Sequence, residues 1–276
     1  MDTPLFLRKL PPFPPIATRL LRLLSDDDVS FVEVARLLRS DPALSAELLR
    51  LASSPLLGVR RIDSMMQALS FLGLERLNSS VLALSLCKFV APASRCAALR
   101  FCWRHNLACA VLCERLARAY GKSPDAAYTA GLLHDVGRLA LLVTQPVRYN
   151  DLLLKTDARP EQLCALERDL FGVDHCEAGG LLIEQWGLPP EFREIALHHH
   201  VPNGPLYSMT GLVHVGCAMA DMLGFQVAGS GATWDLSPLE QWLPPGGEIG
   251  WDPQELTCLV AERINALECA GCAVAA

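Results

Sequence analysis

The chain has 276 residues, enough for one large domain or two small ones, and its 51% hydrophobic and 20% charged residues are an ordinary globular balance. A net charge of −6 argues against a broad electrostatic nucleic-acid surface. No apolar run reaches the ~18 residues of a membrane helix, and the opening MDTPLFLRKLPPFPP lacks a basic-then-apolar signal pattern, so a soluble cytoplasmic protein is expected.

Prolines at 4, 11, 12, 14 and 15 make the first residues an extended lead-in. A helix is expected from about Ile16 to Leu24, burying Leu20, Leu21, Leu23 and Leu24. Ser30 and Glu33 form a capping-box pattern, and Asp41-Pro42 opens the next helix, with Asp as cap and Pro in the first turn. Ser64 and Gln67 repeat the capping logic before QALSFLGLERL. Alternating β-branched runs and Asn-Gly or Asp-Gly turns are missing, so an all-α fold is expected.

A second helical block begins near Arg95, with Leu107, Val111, Leu112 and Leu116 on one face of its first helix. Gly121 to Asp125 is a turn, followed by one helix bearing His134 and Asp135 and ending at Pro146. Gly131 and Gly137 allow a neighbouring backbone to come close. Asp174-His175 opens EAGGLLIEQW, Gly187 to Pro190 breaks it, and EFREIAL runs into His198-His199-His200. A last helix of this block runs from about Met209 to Leu223. After a Gly/Ser/Ala linker, Ser237 and Asp252 each start a short helix. The expected organisation is an N-terminal helical subdomain over 1–94, a helical subdomain with the site over 95–225, and a linker and tail over 226–276.

All seven histidines lie between residues 105 and 214. Buried imidazoles and carboxylates are costly unless paired or bound to metal. The polar residues on apolar helices are His105, His134, Asp135, His175, His199 or His200, and Asp221. That mixture suits iron, manganese or zinc better than calcium or magnesium. Each has a plainer structural alternative: His105 as a core or cap histidine, Asp174-His175 as a cap, and His198 to His200 as a solvated helix end. For Asp221 the alternative is a local hydrogen bond. His214 reads as structural, and Glu114, Arg115 and Arg118 as an exposed face. Of eleven cysteines, Cys87, Cys102, Cys109, Cys113 and Cys217 read as small buried hydrophobes. Cys269 and Cys272 have redox or zinc spacing without a second pair.

The segments LPPFPP, RSDPALSAELLRLASSP, IDSMMQALSFLGLERL, WRH, GLLHDVGRL, DHCEAGGLLIEQWGLP and HHHVP together resemble the HDOD family, the HD-related output domains of bacteria, from about Leu10 to Leu223. The resemblance implies an N-terminal helical subdomain beside one similar to HD-type metal-dependent phosphohydrolases, and a role in signal transduction. It implies that His105 is the first metal histidine, His134-Asp135 the pair naming the superfamily, Asp221 the final aspartate, and His175 with one of His199 and His200 the extra histidines of two-metal relatives. HD-GYP enzymes, which cleave cyclic di-GMP, have a glutamate where this chain has Phe101, a lysine where it has Arg138, and a Gly-Tyr-Pro signature where it has VPNGPLYSM. Cyclic di-GMP hydrolysis is therefore not expected.

The leading expectation is a regulatory module working through signalling-protein contacts, in a sensor-kinase or response-regulator pathway, with a bound divalent iron, manganese or zinc. The alternative is a metal-dependent phosphohydrolase acting on a nucleotide or other phosphate ester, with Arg138 as the phosphate contact. A third is a redox or ligand sensor using the metal or Cys269 and Cys272. Neither a membrane nor a direct nucleic-acid partner is expected.

Overall fold

The computed structural model describes residues 5–7, 10, 13–24, 29–53, 62, 64–156, 160–228, 234–245 and 252–269. Among them are thirteen α-helices and no strand, so the protein is all-α. No described helix is long and apolar enough to cross a membrane. One compact unit is built on Pro11–Ala91 and another on Pro92–Ile264.

The first unit holds α1 (Pro15–Leu24), α2 (Phe31–Leu38), α3 (Pro42–Ala52) and α4 (Met65–Val90). Leu20 is buried and Leu23 half-buried; the Leu21 and Leu24 side chains lie outside the described residues. At α2 the Ser30 hydroxyl accepts from the Glu33 amide at 3.2 Å, and the Glu33 carboxylate accepts the Ser30 amide at 3.4 Å. Ser30→Ala is expected to cost about 1 kcal/mol, read as a lower urea midpoint. At α3 the Asp41 carboxylate accepts the Leu44 amide at 3.0 Å. The long α4 packs against α1, α2 and α3, burying Leu69, Leu77 and Val81. It kinks at Gly73, whose φ of 74° and ψ of 165° leave the helical region.

The second unit is organised on α5 (Ala97–Leu116), which is buried along most of its length. Around it lie α6 (Pro124–Leu133), α7 (Val136–Thr144), α8 (Pro146–Lys155) and α12 (Met209–Met222). Beyond these, α9 (Pro160–Phe171), α10 (His175–Gln185) and α11 (Pro190–His198) follow in order, and α10 packs on both α7 and α11. A 3₁₀ turn at Ser237–Trp242 and the helix α13 (Pro253–Cys269) complete the described chain. Thus α13, expected as a short helix, is 17 residues long, and its Arg263 pairs with Glu114 at 2.9 Å.

Two expectations need correction. The helix expected to carry His134 and Asp135 is broken there: α6 stops at Leu133, α7 starts at Val136, and Asp135 adopts φ −113°, ψ 23°. Pro146 starts α8 after α7 has closed at Thr144. Cys102, Cys109, Cys113 and Cys217 are buried free thiols, but Cys87 is half-buried and disulfide-bonded. The Cys269 side chain and Cys272 lie outside the described residues.

Candidate metal centre

The break between α6 and α7 positions the centre. A continuous helix would project His134 and Asp135 about 100° apart around one axis. The interruption turns both inward, leaving His134 at 0% and Asp135 at 1% exposure. Close packing continues on each side. A Cβ built on Gly131 would lie 2.8 Å from the Ala110 Cα, and one on Gly137 only 1.9 Å from the His175 carbonyl oxygen. These contacts seat the pair against α5 and the start of α10.

Three imidazoles are then fixed in the same way. The Nδ1–H of His134 donates to the Gly131 carbonyl at 2.6 Å, that of His105 to the Phe225 carbonyl at 3.0 Å, and that of His199 to the Ala196 carbonyl at 2.9 Å. In the neutral rings of His134 and His199 the Nε2 is left as a lone pair, the arrangement by which proteins orient metal-ligating histidines, whereas against burial Cys217 and Asp221 raise the pKa of His105 well above the ordinary range. Burial lowers the pKa of His134 to about 4 although Asp135 opposes it, and burial also holds His199 and His200 well below the ordinary range. All three are neutral near pH 7. The donors Nε2 of His105 and Nε2 of His134 face each other at 3.4 Å, and the Cys217 thiol lies 3.5 Å from the former. Two nitrogens bound to a tetrahedral zinc stand ~3.3 Å apart, and a nitrogen and a sulfur ~3.5 Å apart. Asp135 Oδ1 and His199 Nε2 are both buried without a hydrogen-bond partner, 3.8 Å from each other. Two acceptors meeting without a donor between them is the environment a cation satisfies. The donor set therefore fits a borderline divalent metal.

Asp221 faces the other side of His105. Its Oδ1 is 3.3 Å from Nδ1, so it steers the ring from behind, while Cys217, one turn earlier on α12, is next to Nε2. His214 donates through Nδ1 to the His199 carbonyl at 2.8 Å and so ties α12 to the histidine turn.

Arg138 is placed differently from the expected phosphate contact. It is 3% exposed, and its nitrogens are all engaged. Nε donates to Asp135 Oδ2 at 2.5 Å, Nη1 to the Tyr149 hydroxyl at 3.3 Å and to Glu167 Oε1 at 3.2 Å. Nη2 is 3.1 Å from His175 Nε2. The fork meets two buried carboxylates, and the guanidinium is spent on them. Burial alone would raise the pKa of Asp135; Arg138 first, then His175 and His134, hold it well below the usual carboxylate range.

His175 is the first residue of α10 after the cap Asp174, whose carboxylate accepts the Glu177 amide at 2.8 Å and pairs with Arg168. Capping and clustering therefore act together. Asp174→Ala is expected to cost about 1–2 kcal/mol by urea denaturation, because the α10 start loses both a cap and an ion pair. The His175 Nδ1–H donates to Glu167 Oε2 at 2.5 Å. Against burial and Arg138, Glu167 and Asp135 raise the pKa of His175 to about 10. His200 Nε2 is 2.9 Å from His175 Nε2.

Three residues of the site were not expected from sequence. Glu167, at 0% exposure, shares an apolar helical stripe with Leu163 and Phe171, and a lone acid on such a stripe is a usable signal. Tyr149 donates its hydroxyl to Glu167 at 2.6 Å. Cys217 precedes Asp221 by four residues, which puts both on one face of α12. A separate cavity of ≈ 440 Å³ is lined by Arg115, Arg118, Arg263 and Glu114 among others, and no residue of the centre lines it.

Residues 10–202 match the HDOD domain family. A Geobacter sulfurreducens HDOD domain protein of unknown function has a crystal structure that superposes with a TM-score of 0.73 at 24% identity, covering 96% of this chain and 95% of that one. A suspected phosphohydrolase from Shewanella amazonensis SB2B superposes at 0.69 and 22% identity, over 98% and 96% of the two chains. For a suspected signal transduction protein from Marinobacter aquaeolei VT8 the values are 0.74 and 22%, over 99% of this chain and 62% of that one. These likenesses show the fold. An uncharacterised Treponema pallidum (strain Nichols) protein is 25% identical over 203 residues, 71% of this chain, which spans only 39% of that protein.

Proposed function

The chain belongs to the HDOD domain family, and we propose that it is a regulatory output module of bacterial signalling, acting through contacts with a sensor kinase or response-regulator protein and holding a divalent cation at its buried histidine centre. The observation that carries this reading is Arg138. Its guanidinium is held among Asp135, Glu167, Tyr149 and His175, so the charge that could have met a phosphate is already taken up by two buried carboxylates. Catalytic metal sites keep an open position, whereas structural ones are closed. His105, His134, Asp135 and His199 are each at most 3% exposed, which favours the closed kind.

His105, His134 and Cys217 would hold the cation, with Asp135 and His199 beside them. Asp221 orients His105 from behind, and Arg138 fixes the Asp135 carboxylate. A metal bound there is a Lewis acid that lowers the pKa of its water. The thiol favours zinc over manganese or iron. A cytoplasmic setting is part of the proposal. A second reading, phosphate-ester hydrolysis, is favoured by one observation, the buried Asp135 Oδ1 that lacks a hydrogen bond and faces His175 and His199 at 3.5 and 3.8 Å.

The test is turnover of phosphomonoesters, nucleotides and cyclic dinucleotides by protein loaded with iron, manganese or zinc. Activity no higher than that of Asp135→Ala is the expected result. Turnover that Asp135→Ala abolishes would establish the hydrolase reading instead.

A further inference from the structure

We propose that Cys164, His175, Cys176 and His200 form a second, thiolate-rich metal site that takes zinc, separate from the His105–His134 centre. Their ligand atoms all lie within 4.8 Å of one another. Two thiols and two imidazoles are the donor set of closed, four-coordinate zinc sites, and softness selects zinc over manganese or magnesium. The residues come from three places in the second unit: Cys164 from α9, His175 and Cys176 from the first turn of α10, and His200 from the turn after α11. A metal there would fasten α9 and α11 to the start of α10.

The geometry prepares each donor. Glu167 takes the Nδ1–H of His175 at 2.5 Å, which directs Nε2 at the site, the usual second-layer contact of a metal histidine. Around that Nε2 stand His200 Nε2 at 2.9 Å and Cys176 Sγ at 3.4 Å. Edges of ~3.3 to 3.8 Å are those of a tetrahedron of nitrogens and sulfurs around zinc, so the Cys176 separation fits and the half-buried His200 ring has to open by a few tenths of an ångström to admit the ion. Cys164 completes the group: its Sγ lies 3.9 Å from Nδ1 of the same ring and within 4.8 Å of the other ligand atoms. Both cysteines are free and nearly buried, while His200 is half-buried and gives the ion a way in.

Charge also balances. Zinc uptake expels the two thiol protons and any proton on His175 to solvent, and two thiolates neutralise the dication. Arg138 adjoins the site through His175. It gives up only its 3.1 Å contact with His175 Nε2 and keeps Asp135, Glu167 and Tyr149.

The proposal stands apart from the regulatory and hydrolytic readings, since it uses neither His105, His134 nor Cys217. Untagged wild type, Cys164→Ser/Cys176→Ser and His134→Ala are analysed for zinc, and their cobalt-substituted forms for sulfur-to-cobalt charge-transfer absorption. The double variant is expected to lose one equivalent of zinc and most of the charge-transfer band, while His134→Ala keeps that equivalent and its band. A folded double variant with wild-type zinc and an unchanged band would overturn the proposal. If the double variant does not fold, His200→Ala serves in its place. It should release zinc to a chelator more than about tenfold more readily than wild type; unchanged release would overturn the proposal.

Discussion

Arg138→Met is expected to destabilise the protein by about 3–5 kcal/mol. The guanidinium neutralises Asp135 and Glu167, which are 1% and 0% exposed, through contacts of 2.5 and 3.2 Å. Methionine matches much of its volume, so packing changes little and the loss is electrostatic. Removing one partner of a buried network leaves the others charged and desolvated, which costs far more than replacing the whole network with apolar residues. Tyr149 would still donate to Glu167, but Asp135 would lose its strongest partner. Arg138→Lys should fall between wild type and Met, because an ammonium keeps the charge without the planar fork that reaches four groups. Urea unfolding reads the effect as a lower midpoint at unchanged slope. A loss below about 1 kcal/mol would mean that Arg138 does not hold the two acids.

Gly137→Ala is expected to cost more than about 3 kcal/mol and to disturb the histidine cluster as well. On helix propensity alone the change would stabilise α7 by about 1 kcal/mol. Space decides otherwise. The added Cβ would stand 1.9 Å from the His175 carbonyl oxygen, 2.6 Å from the Gly179 nitrogen and 2.8 Å from the His175 carbonyl carbon. All three are backbone atoms, so no rotamer change relieves the overlap, and α7 and α10 must move apart. That motion carries His175 away from Glu167 and Arg138. Gly179→Ala is the internal control: its Cβ would meet Ala196 Cβ at 3.4 Å, an ordinary contact, and a cost under about 1 kcal/mol is expected. Equal effects of the two substitutions would contradict this account.

The sequence carries much of the fold in its caps. Ser30, Asp41, Ser64, Asp174 and Ser208 each begin a helix by accepting an amide from the first turn, and all but Ser208 were legible as cap patterns. Gly137 was legible as a point of close approach. The break at His134-Asp135 was not, because the apolar stripe runs through it without Pro or Gly at either position, and periodicity alone reads such a stretch as one helix. The buried pairing of Arg138 was not legible for a related reason: a lone arginine on an apolar stripe indicates equally a ligand contact or a buried counter-ion. Its partner Glu167 lies 29 residues away, so only tertiary structure brings the two together. Cys164, Cys176 and Cys217 were hidden by chemistry, since a buried thiol among apolar residues reads as a small hydrophobe until an imidazole is found beside it.

The most direct measurement is the metal content of untagged protein purified without chelators, wild type beside His134→Ala. If His105, His134 and Cys217 converge on a cation as their 3.4 and 3.5 Å separations imply, wild type should hold one more equivalent of zinc, iron or manganese than the variant does. Equal metal in the two proteins, with the variant folded, would contradict the account and leave the His134-Asp135 turn a structural feature alone.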